Sequence, residues 1–212
     1  MGARRKFSAL IKEFRNETRR LSRLDRDSQA RFDRNMQRQW SGERQLHILT
    51  ESILFSAYRN FENLVHDAFI LYCLGRRNNT GKSAIPYLRP RSFGHGEELI
   101  QSTMRHLDWT DPDMVIRRSE LYLKNGEPVK GVFTSNKQIL DELRILRNHI
   151  AHNSKQSRRA YVNLLQQKLG TIPLRQPPVG EFLLMQDREE PAKYYLETYL
   201  ETLGQISEIL TG

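Results

Sequence analysis

From Leu46 to Leu71 an apolar residue falls at every third or fourth position: Leu46, Leu49, Ile53, Ala57, Phe61, Leu64, Ala68 and Leu71. That recurrence marks one face of an α-helix, and no alternating period-two pattern competes with it. It predicts a helix over 44–74, closed by Gly75, whose backbone suits the left-handed position that ends helices. Its stripe must be buried against other elements, and with the further helices below the chain is read as all-α.

Three further segments repeat the pattern. Ile139, Leu143, Leu146 and Ile150 are spaced 4, 3 and 4 and predict a helix over 136–152, capped by Asn136 or Ser135. Ala160, Val162, Leu164, Leu165 and Leu169 predict a helix over 155–169 ending at Gly170. Tyr195, Leu196, Tyr199, Leu200, Leu203, Ile206 and Leu210 predict a closing helix over 191–210.

Ahead of these, residues 4–40 read as an amphipathic helix. Phe7, Leu10, Ile11, Phe14, Leu21 and Leu24 form its stripe, and Ala30, Phe32, Met36 and Trp40 continue it more thinly up to Ser41-Gly42. Its other face carries Arg4, Arg5, Lys6, Lys12, Arg15, Arg19, Arg20, Arg23 and Arg26, interleaved with Glu13, Glu17, Asp25 and Asp27. Two readings stand: an arm that follows a nucleic-acid backbone, or a solvated face packed on the domain or on a second subunit.

Residues 76–135 read as an insertion of mixed structure. Residues 97–107 suggest a short helix with Ile100, Met104 and Leu107 on one side, and Asp111-Pro112-Asp113 opens another through Arg118. Leu121 to Phe133 suggests a hairpin around Asn125-Gly126, which Pro128 confines to an edge. Residues 171–185 read as a proline-rich loop leading into an extended apolar run, Phe182 to Met185. The organisation is therefore a basic helix, 1–42, and a main domain, 43–212, holding the 76–135 insertion.

The chemistry concentrates in Arg147-Asn148-His149-Ile150-Ala151-His152, followed by Asn153 and Ser154. An imidazole moves protons near neutral pH, and a guanidinium holds a phosphate through two parallel hydrogen bonds. Without carboxylates, this pairing suits metal-free cleavage of RNA, in which the ribose 2′-hydroxyl is an internal nucleophile. Arg147 and His152 are five residues apart, about 140° around an ideal helix. They converge if the helix loosens before His152, or if both line a cleft shared with a second subunit.

The hexapeptide resembles the Arg-x4–6-His motif of the HEPN superfamily (higher eukaryotes and prokaryotes nucleotide-binding domain). The wider string from Arg147 to Tyr161 is similar to its RiboL-PSP-HEPN branch, and the resemblance covers most of residues 45–212. It implies an all-helical bundle, usually a homodimer, acting as a metal-independent endoribonuclease of a bacterial toxin or antiphage system. Arg147 and His152 would be catalytic, with Asn148 fixing the phosphate or the histidine. Glu62 would orient Arg147, since the equivalent helix often carries an acid there; a surface carboxylate paired with Arg59 is the other reading. His149 would be a second proton carrier or a structural residue. Lys155, Arg158 and Arg159 would extend the RNA-binding surface. A neutralising or activating protein partner is implied as well. The alternative within the same resemblance is a non-catalytic module that binds RNA or protein.

Composition narrows the classes further. There are 34 Lys and Arg against 25 Asp and Glu, a net charge of +9, which favours a polyanionic partner. One cysteine, Cys73, excludes an internal disulfide and a cysteine-based zinc site. His95 beside Glu97 and Glu98 lacks a second histidine at ligand spacing, and no metal or cofactor is expected. Gly81-Lys82-Ser83 is not a phosphate-binding loop, because Gly75 lies one residue too far upstream and follows a helix. No apolar run approaches a membrane span and the basic start lacks a signal peptide's apolar core, so a cytoplasmic protein is expected.

Overall fold

The computed structural model describes residues 5–35, 42–101, 108–171 and 173–212. Arg4, Met36, Trp40, Ser41, Met104 and Leu107, named above, lie outside them. The described chain forms α1 (Phe7–Asn35), α2 (Gly42–Cys73), α3 (Phe93–Gln101), α4 (Pro112–Tyr122), α5 (Val129–Ser135), α6 (Lys137–His152), α7 (Lys155–Leu169), α8 (Val179–Leu183) and α9 (Tyr195–Thr211). Among the described residues no strand forms. Extended pairing is confined to isolated antiparallel bridges at Arg77–Ser83, Pro86–Leu123 and Gln186–Tyr194. No helix of the described residues is long and apolar enough to cross a membrane.

The helix ends follow from local chemistry. After α2, Gly75 takes φ +66°, the Arg76 amide donates to the Leu71 carbonyl at 3.0 Å, and the Gly75 amide donates to Tyr72 at 2.9 Å. This paired closure satisfies carbonyls the helix would otherwise leave open. The Asp111 carboxylate accepts from the Asp113 and Met114 amides at 3.0 and 3.3 Å, with Pro112 in the first turn of α4. Ser154 Oγ accepts from the Ser157 amide at 3.2 Å to start α7, and Gly170, φ +70°, ends it.

Two compact units divide the chain. One comprises Met1–Arg15, Asn60–Asp141 and Gly204–Gly212. Its core joins Phe61, Val65, Phe69 and Tyr72 of α2 to Val115, Val129 and Phe133. The Tyr72 hydroxyl donates to the Leu210 carbonyl at 2.7 Å and receives Asn78 Nδ2 at 3.3 Å, while Phe7 lies 4.7 Å from the Tyr72 ring. Cys73 is buried beside them, and burial pushes its thiol up to about 12.

The other unit comprises Asn16–Arg59 and Glu142–Leu203. Its core is Ile53, Leu54 and Tyr58 of α2, Leu143 and Leu146 of α6, Leu164 and Leu165 of α7, and the aromatic rings of α7, α8 and α9. Those rings form a series: Tyr161 to Phe182 at 6.3 Å, Phe182 to Tyr195 at 4.5 Å, Tyr195 to Tyr199 at 6.3 Å. At its end the Tyr199 hydroxyl donates to Glu142, which also pairs with Lys168 at 2.9 Å.

Several expectations require correction. Within the insertion, 76–92 hold isolated bridges and no helix, and the regular elements described after them are all helices. Asn125 and Gly126 do take positive φ, 58° and 76°, but in a 3-10 turn that passes from α4 into α5, and no hairpin forms. Phe182 and Leu183 belong to the short helix α8, not to an extended run. Leu24 is exposed. Asp25, counted above among the acids balancing a surface, is buried and receives Gln29 Nε2 at 2.9 Å, and burial raises its carboxyl above the usual range. On α6 the fully buried apolar residues are Leu140, Leu143 and Leu146, whereas Ile139 and Ile150 are half-buried. Leu143 and Leu146 keep the predicted stripe, Leu140 joins it, and Glu142, bonded to Tyr199 and Lys168, turns inward beside it.

Candidate functional site

The motif occupies the last turns of α6, and all its residues belong to the second unit. The helix holds its geometry through His152. The first departure is Asn153, with φ +41°, whose amide still donates to the His149 carbonyl at 3.0 Å. Loosening therefore comes one residue after His152, and within one chain Arg147 and His152 keep their angular separation of about 140°.

Arg147 is half-buried and held. Its Nη1 donates to Asn148 Oδ1 at 3.0 Å, and its guanidinium lies 5.7 Å from the Phe55 ring centre on α2. One donor of five is used in the hydrogen bond, so the planar fork retains capacity for an anion. Asn148 acts on the arginine itself, since its side-chain oxygen accepts from it. His152 is exposed at the helix terminus, and Lys155, Arg158 and Arg159 are exposed on the first turns of α7 just beyond it.

His149 is built into the unit. Its ring stacks on Tyr161 at 4.7 Å with planes 26° apart. Gln176 Nε2 lies 3.4 Å from Nε2, and Ser157 Oγ lies 3.3 Å from Nδ1. Gln176 can only donate through that nitrogen, so Nε2 accepts and Nδ1 carries the proton. Ser157 Oγ then accepts from His149 and from Ser154 Oγ at 3.3 Å, and donates to the Ser154 carbonyl at 3.1 Å. Its valences close without strain. Burial first, and the nearby Arg158 charge second, hold the imidazole below its ordinary value. Both ring nitrogens are thus engaged within the chain, and the ring forms part of the wall beside Tyr161.

Tyr161 is fully buried, and its hydroxyl donates to the Pro177 carbonyl at 3.2 Å, pinning the loop that supplies Gln176. Behind that loop the Gly180 amide donates to Glu51 Oε1 at 2.9 Å, and Arg175 pairs with Glu181 at 2.7 Å. Tyr161, Ser157, Gln176 and Phe55 were not singled out from the sequence. Ser154 and Ser157 carried a signal, as serines at helix-start spacing, and so did Phe55, an aromatic residue off the core stripe of α2. Gln176 carried none.

Glu62 is half-buried on α2 and belongs to the first unit. His95 Nδ1 accepts from the Arg91 amide at 3.0 Å, a bond within its own turn. No cluster of three or more His, Cys, Asp or Glu side chains among the described residues is arranged for a metal. Along α1, Arg19, Arg20 and Arg23 line a cleft of about 610 Å³ with Glu17, Asp27 and Ser56, and Arg20 pairs with Glu17 at 3.6 Å. The carboxylates offset part of the basic charge there.

Neither a protein-family model, a curated protein nor a solved structure matches this chain.

Proposed function

We propose that the chain is a metal-independent endoribonuclease of HEPN type, acting as a homodimer in which the catalytic pair is completed across two copies. The observation that carries this reading is the helical continuation of α6 through His152. It leaves Arg147 held against Asn148 and Phe55 while His152 stands exposed at the terminus, on a different side of the same helix. A two-fold arrangement brings each arginine to the other copy's histidine. In this scheme His152 takes the proton from the 2′-hydroxyl or delivers one to the leaving 5′-oxygen. Arg147 stabilises the charge that builds on the phosphorane, and Asn148 keeps the guanidinium in plane. Lys155, Arg158 and Arg159 neutralise flanking phosphates. His149 and Tyr161 supply the rigid wall. A toxin or defence role, with a partner that neutralises or activates the nuclease, rests on the resemblance of the motif alone.

The second reading is a HEPN-like module that binds RNA or protein without cutting it. The bond from Arg147 to Asn148 favours it, because a guanidinium already engaged in its own chain must be freed or shared before it meets a phosphate.

Cleavage of total RNA by the purified protein in EDTA, beside His152→Ala, tests the proposal. Cleavage that leaves 2′,3′-cyclic phosphate ends and disappears in the variant supports it. RNA bound but left intact by the wild-type protein, with affinity unchanged in the variant, favours the binding module.

A further inference from the structure

The insertion presents a surface that the ribonuclease reading does not use. The segment 85–88 runs antiparallel to the end of α4: the Tyr87 amide donates to the Tyr122 carbonyl at 2.9 Å and the Lys124 amide to the Ile85 carbonyl at 2.8 Å, around the Pro86–Leu123 bridge. The bridged residues, Pro86 and Leu123, are buried, while Ile85, Tyr87, Leu88 and Leu121 are 60%, 59%, 61% and 70% exposed. Ile85, Tyr87, Leu88 and Leu121 all fall within two residues of this one bridge, which gathers four large exposed apolar side chains at one place in the chain's surface.

The segment that carries Ile85, Tyr87 and Leu88 is basic. No acidic residue occurs between Asp67 and Glu97, whereas Arg76, Arg77, Lys82, Arg89 and Arg91 all do. Each of these cations is exposed, as is Lys124, which lies across from Ile85. Arg117, one helical turn before Leu121 on the same face of α4, is exposed too. The acids that follow on this side, Glu120 and Glu127, act on Lys130, which bonds Glu120 at 2.6 Å.

We propose that Ile85, Tyr87, Leu88 and Leu121, rimmed by Lys82, Arg89, Arg117 and Lys124, form a docking surface for an acidic polypeptide segment that carries apolar anchors. The aliphatic side chains choose protein over nucleic acid, because isoleucine and leucine offer no ring for a base to stack on. The rim chooses an acidic partner over a second copy of this chain, since two copies would bring like charges together. The apolar centre with a charged rim is the anatomy of a protein interface.

The test is selection of a displayed peptide library on the full chain, with Leu88→Ser/Leu121→Ser and Lys82→Glu/Lys124→Glu as comparison proteins. All four positions are exposed, and thermal melts check that both variants fold. Enriched peptides are expected to interleave Asp and Glu with large apolar residues. Each double variant should weaken their binding by roughly tenfold or more, and added salt should weaken it on the wild type. The proposal is overturned if selection enriches nothing acidic, or if the enriched peptides bind both variants as well as the wild type. It is also overturned if the same variants abolish binding of a single-stranded RNA oligonucleotide while no peptide is selected. A dimer seen by sedimentation that disappears in Leu88→Ser/Leu121→Ser would replace the peptide with a second copy.

Discussion

His149 stacks on Tyr161 at 4.7 Å, and this contact fixes one end of the motif to the aromatic series that crosses the second unit. The ring has its two nitrogens occupied by Ser157 and Gln176, and its charged form is disfavoured by burial and by Arg158. The unfolded chain binds a proton at this position near the ordinary histidine value of 6.5, whereas the folded chain binds it only at lower pH. Stability from this residue is therefore complete above that value and declines as pH falls below it. Thermal melts between neutral and mildly acidic pH should show a decline that is shallower in His149→Gln. Identical pH dependence in the two proteins would show that the imidazole is not held neutral.

Lys168 and Glu142 make a buried ion pair at 2.9 Å, with side chains 12% and 4% exposed, and Tyr199 adds a hydrogen bond to the same carboxylate at 3.1 Å. Burial works against the lysine's charge, but the Glu142 bond and charge, helped by Glu189 and Asp187, lift it above its ordinary value. Removing one partner strands the other. Lys168→Met should cost about 3–5 kcal/mol, read from urea unfolding. Adding Glu142→Gln should recover most of that loss, since the amide keeps an acceptor for Tyr199 and carries no charge. A double variant no more stable than the single would mean that the cost lies in packing.

How far the fold could be read from residues alone depends on how local each cause is. Gly75, Asp111, Ser154 and Gly170 act within one turn of their own helix, and the sequence shows each. Asn125-Gly126 shows the limit of that reasoning. The pair adopts the positive φ values its composition calls for, but its flanks are helices, so the same local geometry joins α4 to α5. Phe182 to Met185 is ambiguous for another reason, because a run of four apolar residues has no period to separate strand from helix. At the site, the arginine and histidines are legible as residue types. The stack on Tyr161 and the bond from Gln176 join positions 12 and 27 residues away, and no local pattern encodes them.

Gly180 illustrates a constraint of that long-range kind. A side-chain carbon placed there would lie 2.2 Å from the His47 carbonyl oxygen and 2.5 Å from its Cα, so α8 rests directly on the backbone of α2. The Gly180 amide reaches Glu51 from the same position. Gly180→Ala must move one helix off the other, at about 3 kcal/mol or more by analogy with overpacked cores. The shift should also displace Gln176 from His149. Urea unfolding reads the first effect, and the ring signals of His149 by NMR read the second. A variant as stable as the wild type would show that α8 can slide without cost.

The separation of Arg147 from His152 on one unbroken helix leads to a test of the dimer itself. If each site takes its arginine from one copy and its histidine from the other, neither Arg147→Ala nor His152→Ala should cut RNA alone. In a mixed dimer of the two variants one site carries both substitutions and the other carries none. Random exchange makes half the dimers mixed, each with one of two sites intact, so the mixture should regain about a quarter of wild-type turnover. If both residues served one site within one chain, every site in the mixture would lack a member of the pair, and mixing would restore nothing. Co-refolding the two variants and assaying cleavage in EDTA therefore separates the two arrangements without a structure of the dimer. A silent mixture beside an active wild type would place the catalytic pair within a single chain and require α6 to unwind before His152 when RNA binds.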